Sequence, residues 1–129
     1  MTCGYRDALA PCYRSCLELA AEHGLESVAF CRISTGEFHF PNREAAEIAV
    51  HTVMEFLRRH QGLRVLFLEL GVGGNTPGII KYPFWKMAYE NPNAAYVCIN
   101  FEEAFAPCEI ERRALSMQSD IGLVLCAAR

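Results

Sequence analysis

Apolar residues recur at helical spacing along two long stretches of this chain and form short continuous runs along three others. The first helical stretch, from about Ala10 to His23, gathers Cys12, Tyr13, Cys16, Leu17, Leu19 and Ala20 into one stripe. Pro11 suits its first turn and Gly24 its stop. The second begins where Asn42 can cap it and runs to about His60, with Ala46, Ala49, Val50, Val53 and Leu57 on one side. The continuous runs are "SVAFCRI" (Ser27–Ile33), "RVLFLEL" (Arg64–Leu70) and "AAYVCIN" (Ala94–Asn100). Each has the length and β-branched content of a strand covered on both faces.

Punctuation completes the alternation. Thr76-Pro77 reads as a helix start, the hydroxyl capping and the proline taking the first helical position. Asn91-Pro92-Asn93 is a turn that ends that helix. An irregular connection follows, then a short strand near Ala114–Gln118, then a last helix capped by Asp120. Strands alternating with helices predict an α/β fold with a mostly parallel sheet. The expected architecture is a single compact domain over residues 1–129, three-layered, with helices on both faces. A right-handed crossover would place the strands at 27–33 and 64–70 in one sheet. The loops that follow them, "STGEFHFP" and "GVGGNTPG", would then lie at the same end, where parallel sheets bind ligands.

Composition narrows the partners. The chain has 129 residues, 52% of them hydrophobic, which suits one folded domain. A net charge of −3 gives no electrostatic case for nucleic acid. No apolar run approaches the roughly 18 residues that span a bilayer, and the N-terminus lacks signal-peptide anatomy, so a cytoplasmic protein without membrane contact is expected. Seven cysteines, an odd number with no CxxC pair, signal neither a disulfide framework nor a zinc ribbon. Cys31 and Cys98 fall in strand-like runs, where cysteine serves as a small core residue. Cys12 and Cys16 share a helix face and could ligate a metal or simply be buried.

The two loops carry the candidate chemistry. Ser34, Thr35 and Gly36 offer backbone N–H groups, Gly36 permits the close approach a diphosphate needs, and Phe38 can stack on a sugar or base. A plain strand-to-helix turn has the same composition. In the second loop Gly71 and Gly73 match only the beginning of a dinucleotide fingerprint. Asn75 and Thr76 can hydrogen-bond a ribose or phosphate, or cap a helix. Glu69, near the end of a buried run, must be satisfied or functional: it can orient a ribose or take a backbone hydrogen bond. Asn100 ends the next strand on the ligand side. No self-sufficient catalytic set is visible.

Two families are resembled. Residues from about Leu9 to Phe67, through "CYRSCLELA", "ESVAFCRISTGEFHFP" and "AAEIAVHTVMEFL", resemble the C-terminal part of a macrodomain, the ADP-ribose-binding fold. The "ISTGEFHFP" form is most similar to zinc-containing, sirtuin-linked macrodomains that remove ADP-ribose from proteins. Residues from about Leu66 to Arg129, through "LELGVGGNTPGIIKYPFWKM", "NAAYVCIN" and "DIGLVL", resemble the C-terminal part of a macrodomain-linked bacterial sirtuin, an NAD-dependent ADP-ribosyltransferase. The two resemblances meet inside "RVLFLEL".

The resemblance implies that Ser34, Thr35 and Gly36, flanked by Ile33 and Glu37, hold the diphosphate of ADP-ribose, with Phe38 against the distal ribose. It implies that Gly71, Gly73, Asn75 and Thr76 face the ribose–phosphate region of NAD and that Asn100 approaches the adenosine. The matching stretches do not include the zinc ligands or the catalytic loops of either family. The expectation is therefore a binder of ADP-ribose or NAD, without metal and catalytically incomplete. The alternatives are a protein ADP-ribosyl hydrolase, for which Glu37, His39 and Glu69 are the candidate bases, and a folded relic without ligand. An exposed sheet edge, or an apolar patch at Phe84 and Trp85, predicts self-association as a homodimer.

Overall fold

The computed structural model describes residues 3–30, 33, 39–73 and 77–128, with the backbone alone for residues 3–6. The chain forms two compact units, Met1–His60 and Gln61–Arg129. The division falls a few residues before the strand that opens the second unit.

The first unit contains two helices, α1 (Cys3–Glu22) and α2 (Asn42–Arg59). α1 begins seven residues before the predicted start, so Pro11 lies inside the helix, where it supplies no N–H to the ladder. Its end is the predicted one. Gly24 takes φ +62°, its N–H reaches the Ala21 carbonyl and that of Leu25 reaches Ala20, closing a Schellman turn. α2 is capped by Pro41 and not by Asn42, which is already helical and makes no capping bond. The face of α2 that is buried carries Ala45, Thr52 and Phe56, adjacent to the predicted stripe. It is the face that packs on α1, where Leu9 and Tyr13 form a core with Ala45 and Phe40.

The predicted strand at 27–33 is not formed by the residues described there. Ser27 to Ala29 are exposed and Phe30 is half-buried, its ring edge-on to Tyr13 at 5.0 Å. A strand exists only through a ladder partner, and none of the described residues of this unit offers one. The apolar run instead supplies Phe30 and Ile33 to the α1–α2 core.

The second unit carries the parallel sheet, in the order β1 (Val65–Leu70), β2 (Ala94–Asn100), β3 (Ala114–Gln118). α3 (Lys81–Glu90) joins β1 to β2, a 3-10 helix at Cys108–Arg113 leads into β3, and α4 (Ile121–Ala127) closes the unit. Glu69 stands opposite Cys98 and Leu70 opposite Ile99. β2, the central strand of the three, buries almost every residue. β1 alternates: Phe67 and Glu69 point inward, while Leu66, Leu68 and Leu70 are exposed. Its sequence had predicted burial on both faces, because a leucine reads as apolar whichever way it points.

α3 packs on the inner face of the sheet, where Phe84 meets Phe67 at a ring distance of 5.2 Å. Phe84 and Trp85, the predicted surface patch, are half-buried, Trp85 lying against Tyr82 and Phe105. The helix starts at Lys81, four residues after the predicted Pro77. Residues 77–80 form a turn in which the Tyr82 N–H reaches back to the Pro77 carbonyl, too wide a step for a helix. Its far end is closed by the predicted turn, where the Asn91 side chain accepts the Asn93 N–H at 2.9 Å. Arg113 binds that end from outside: one guanidinium nitrogen lies 2.8, 2.7 and 3.0 Å from the carbonyls of Ala88, Asn91 and Ala94. Among the described residues no helix is long and apolar enough to cross a membrane.

Arg113 thus satisfies carbonyls that the end of α3 leaves without helical partners. Arg113→Ala is expected to cost about 2 kcal/mol in urea unfolding, the scale of buried carbonyls left unpaired, and Arg113→Lys to recover part of it.

Candidate functional site

Parallel pairing sends β1, β2 and β3 out of the sheet at one end. Two backbone hydrogen bonds and one side chain organise that end. The Gly71 N–H donates to the Ile99 carbonyl at 2.9 Å, and the Ser119 N–H donates to the Asn100 carbonyl at 3.0 Å. The Asn100 amide donates to the Val72 carbonyl at 3.1 Å and its oxygen accepts the Glu102 N–H at 3.1 Å. Asn100, only 7% exposed, therefore ties the exits of all three strands together. Both ends of its amide are engaged in shaping the loops.

Gly71 turns the chain with φ +66°, a conformation that favours glycine, and a Cβ there would stand 3.2 Å from Ile121. Gly73 has open space around it. Asn75 and Thr76 lie outside the described residues, as do Ser34, Thr35, Gly36, Glu37 and Phe38. Ile33 is described and packs against the α1–α2 core. The structure thus brings Gly71, Gly73 and Asn100 to one end of the sheet. The strand that was to carry the first loop to that end is not formed at residues 27–30.

Glu69 is placed differently from either sequence reading. It is 1% exposed and points away from the sheet end, toward α3. Its Oε1 forms an ion pair with Lys81 Nζ at 2.7 Å, Oε2 accepts the Tyr96 hydroxyl, and the Cys98 thiol lies 3.5 Å from Oε1. A ribose cannot reach it, and neither can a substrate requiring a general base. Lys81 is itself 3% exposed, with its Nζ 5.8 Å from the Trp85 ring centroid and 5.2 Å from that of Phe105. Sequence reasoning missed this partner. The available signal was one lysine in the otherwise apolar and aromatic "GIIKYPFW", following the one acid in "RVLFLEL".

Elsewhere, His39 is exposed at φ +48°, and His51 lines a groove of about 480 Å³ between α1 and α2. That groove also presents Glu44, Glu47 and Glu55 against Arg14 alone, the wrong balance for a diphosphate. Cys12 and Cys16 are exposed. Among the described residues, no three His, Cys, Asp or Glu side chains converge as a metal ion would require.

Burial first, and then the hydrogen bond to Glu69, hold the Tyr96 phenol well above its ordinary 10.0. Burial is likewise the main cause that raises the Cys98 thiol above 9.0. In the unfolded chain both groups release their protons near those ordinary values, while the native unit retains them. The native state therefore binds more protons in alkali, and stability falls as pH rises through 9.0 and then 10.0. Thermal melts across this range should show that fall, and Tyr96→Phe should flatten its upper part.

Comparison with known proteins adds the family context. Residues 3–49 match the Macro domain family. A protein-ADP-ribose hydrolase of Staphylococcus aureus (strain Mu50 / ATCC 700699) is 57% identical over 63 residues, 48% of this chain and 24% of that protein. One from Treponema medium is 52% identical over 60 residues, 46% of this chain and 23% of that protein. A protein ADP-ribosyltransferase of the same Staphylococcus strain is 37% identical over 73 residues, 57% of this chain and 23% of that protein. The chain spans about a quarter of the length of the curated relatives it matches, and its similarity is to a macro domain in part and to proteins of ADP-ribose transfer and removal.

Proposed function

We propose that the chain binds ADP-ribose or NAD, through the loop that leaves β1 and through the "ISTGEF" loop at residues 33–38. The observation that carries this reading is the Asn100 tie. It fixes the Gly71–Gly73 turn at the carboxyl end of a parallel sheet, the place where such sheets receive a diphosphate. Phe101, 72% exposed at the same end, offers a ring on which a base can stack. Gly71, Gly73, Asn75 and Thr76 would face the ribose–phosphate region. Asn100 would shape that surface and not read the ligand, since its amide is already engaged.

The names of the relatives agree with this ligand class: a hydrolase and a transferase, each of protein ADP-ribosylation. The reading is of binding and not turnover. Of the three candidate bases, Glu69 is sealed by Lys81 and Tyr96, His39 is exposed, and Glu37 lies outside the described residues.

The test is a thermal melt of the purified chain, alone and with each nucleotide in excess. Selective binding to the native state at a hundredfold excess over Kd adds about 2.7 kcal/mol and raises the midpoint. ADP-ribose is expected to raise it in the wild-type chain, with Gly36→Val and Gly71→Val each weakening the response. A cooperative melt that neither ADP-ribose nor NAD moves would contradict the reading.

A further inference from the structure

We infer that Glu69 and Lys81 are a positioning pair that fixes the two ends of the β1–α3 loop for ligand binding, while Lys81 itself touches no phosphate. The inference rests on the reading of that loop as a nucleotide cradle. Glu69 stands two residues before Gly71, and Lys81 is the first residue of α3. Their 2.7 Å contact therefore closes the loop at its base, like a clasp beneath Gly71–Gly73 and Pro77–Ile80.

Stability alone does not account for such a pair. Its two side chains are 4% and 0% exposed, and charges so far from water cost about as much as their attraction returns. Apolar side chains of similar size would hold the same core at least as well. Nor does the lysine serve the helix. A cation in the first turn opposes the positive end of the helix dipole, and the N-terminal residue Ile80 provides no side-chain cap. The ion pair stands where a cap would, and it fixes position where a cap would satisfy an N–H.

Both partners are held from behind. Tyr96 and Cys98 grip the carboxylate from the central strand, so Glu69 cannot turn toward the loop. The rings of Trp85 and Phe105 flank the ammonium group, so Lys81 cannot swing out to meet an anion. The pair is neutral as a unit. It contributes geometry to the cradle and little attraction, which distinguishes it from a lysine that binds phosphate directly.

Three variants of the full chain separate this role from a structural one, read by amide hydrogen exchange at residues 71–73 and 78–80 and by calorimetric titration with ADP-ribose and with NAD. Lys81→Met should speed exchange in both limbs of the loop and weaken nucleotide affinity by roughly tenfold or more, as loss of preorganisation does. Glu69→Leu/Tyr96→Phe/Lys81→Met replaces the ion pair and its phenol partner by apolar groups, so that no charge is left buried without a counterion. It should melt near the wild-type temperature yet keep the fast exchange and weak binding. Arg113→Ala, which releases the far end of α3, should lower the melting temperature without altering either loop readout. Native exchange and native affinity in the triple variant would overturn the inference, as would equal loosening of the loop by Arg113→Ala. Should the triple variant not fold, the contrast between Lys81→Met and Arg113→Ala decides. If the wild-type chain binds neither nucleotide, the cradle reading fails, and the exchange data, taken without ligand, still decide whether the pair is a clasp.

Discussion

A carboxylate buried between a sheet and the helix packed on it must be satisfied from every side, and that requirement organises the second unit. Glu69 draws Lys81 from α3 and Tyr96 and Cys98 from β2 toward one point. Those demands set the start of the helix, the approach of β1 to β2 and the base of the loop between them. The parallel register then sends all three strands out at the same end, where Asn100 ties their exits. Beneath the loop lies an ion pair, above it an amide knot. On the proposed reading, it is the backbone between the two that meets the ligand.

Much of the fold could be read from residues whose chemistry is local. Gly24 stops α1, Asp120 caps α4 through the Leu123 N–H, and Asn91-Pro92-Asn93 turns the chain, because each acts on backbone within a few positions. The strands at 65–70, 94–100 and 114–118 also fall where their patterns put them. What failed depends on neighbours distant in sequence. "SVAFCRI" has the pattern of a buried strand, yet a pattern reports only that side chains are apolar. Phe30 finds its burial against Tyr13 without a ladder. The late start of α3 has the same origin: Thr76-Pro77 is a competent local signal, but the helix begins where Lys81 meets Glu69. The site divides along this line. Gly71 and Asn100 were legible as residues at strand ends, whereas the engagement of the Asn100 amide and the burial of Glu69 required the register of β1 on β2.

The arrangement bears directly on the proposed reading of nucleotide binding without turnover. A cradle for a diphosphate needs backbone N–H groups held apart and a support that does not yield. Turnover further needs an acid, base or metal aimed at the reacting atom. The described residues of this unit supply the support in full. The acid that could have served chemistry is committed to holding the loop's foundation. On this account, the polar investment of the unit lies under the ligand and not against it.

The most direct test of that account is a nitrogen-15 NMR titration of the chain with ADP-ribose and then with NAD. Binding through the two proposed loops predicts that the amide shifts concentrate at residues 33–38, 71–80 and 100–102, with the α1–α2 groove silent. Shifts confined to that groove, or no shifts with either nucleotide, would contradict it.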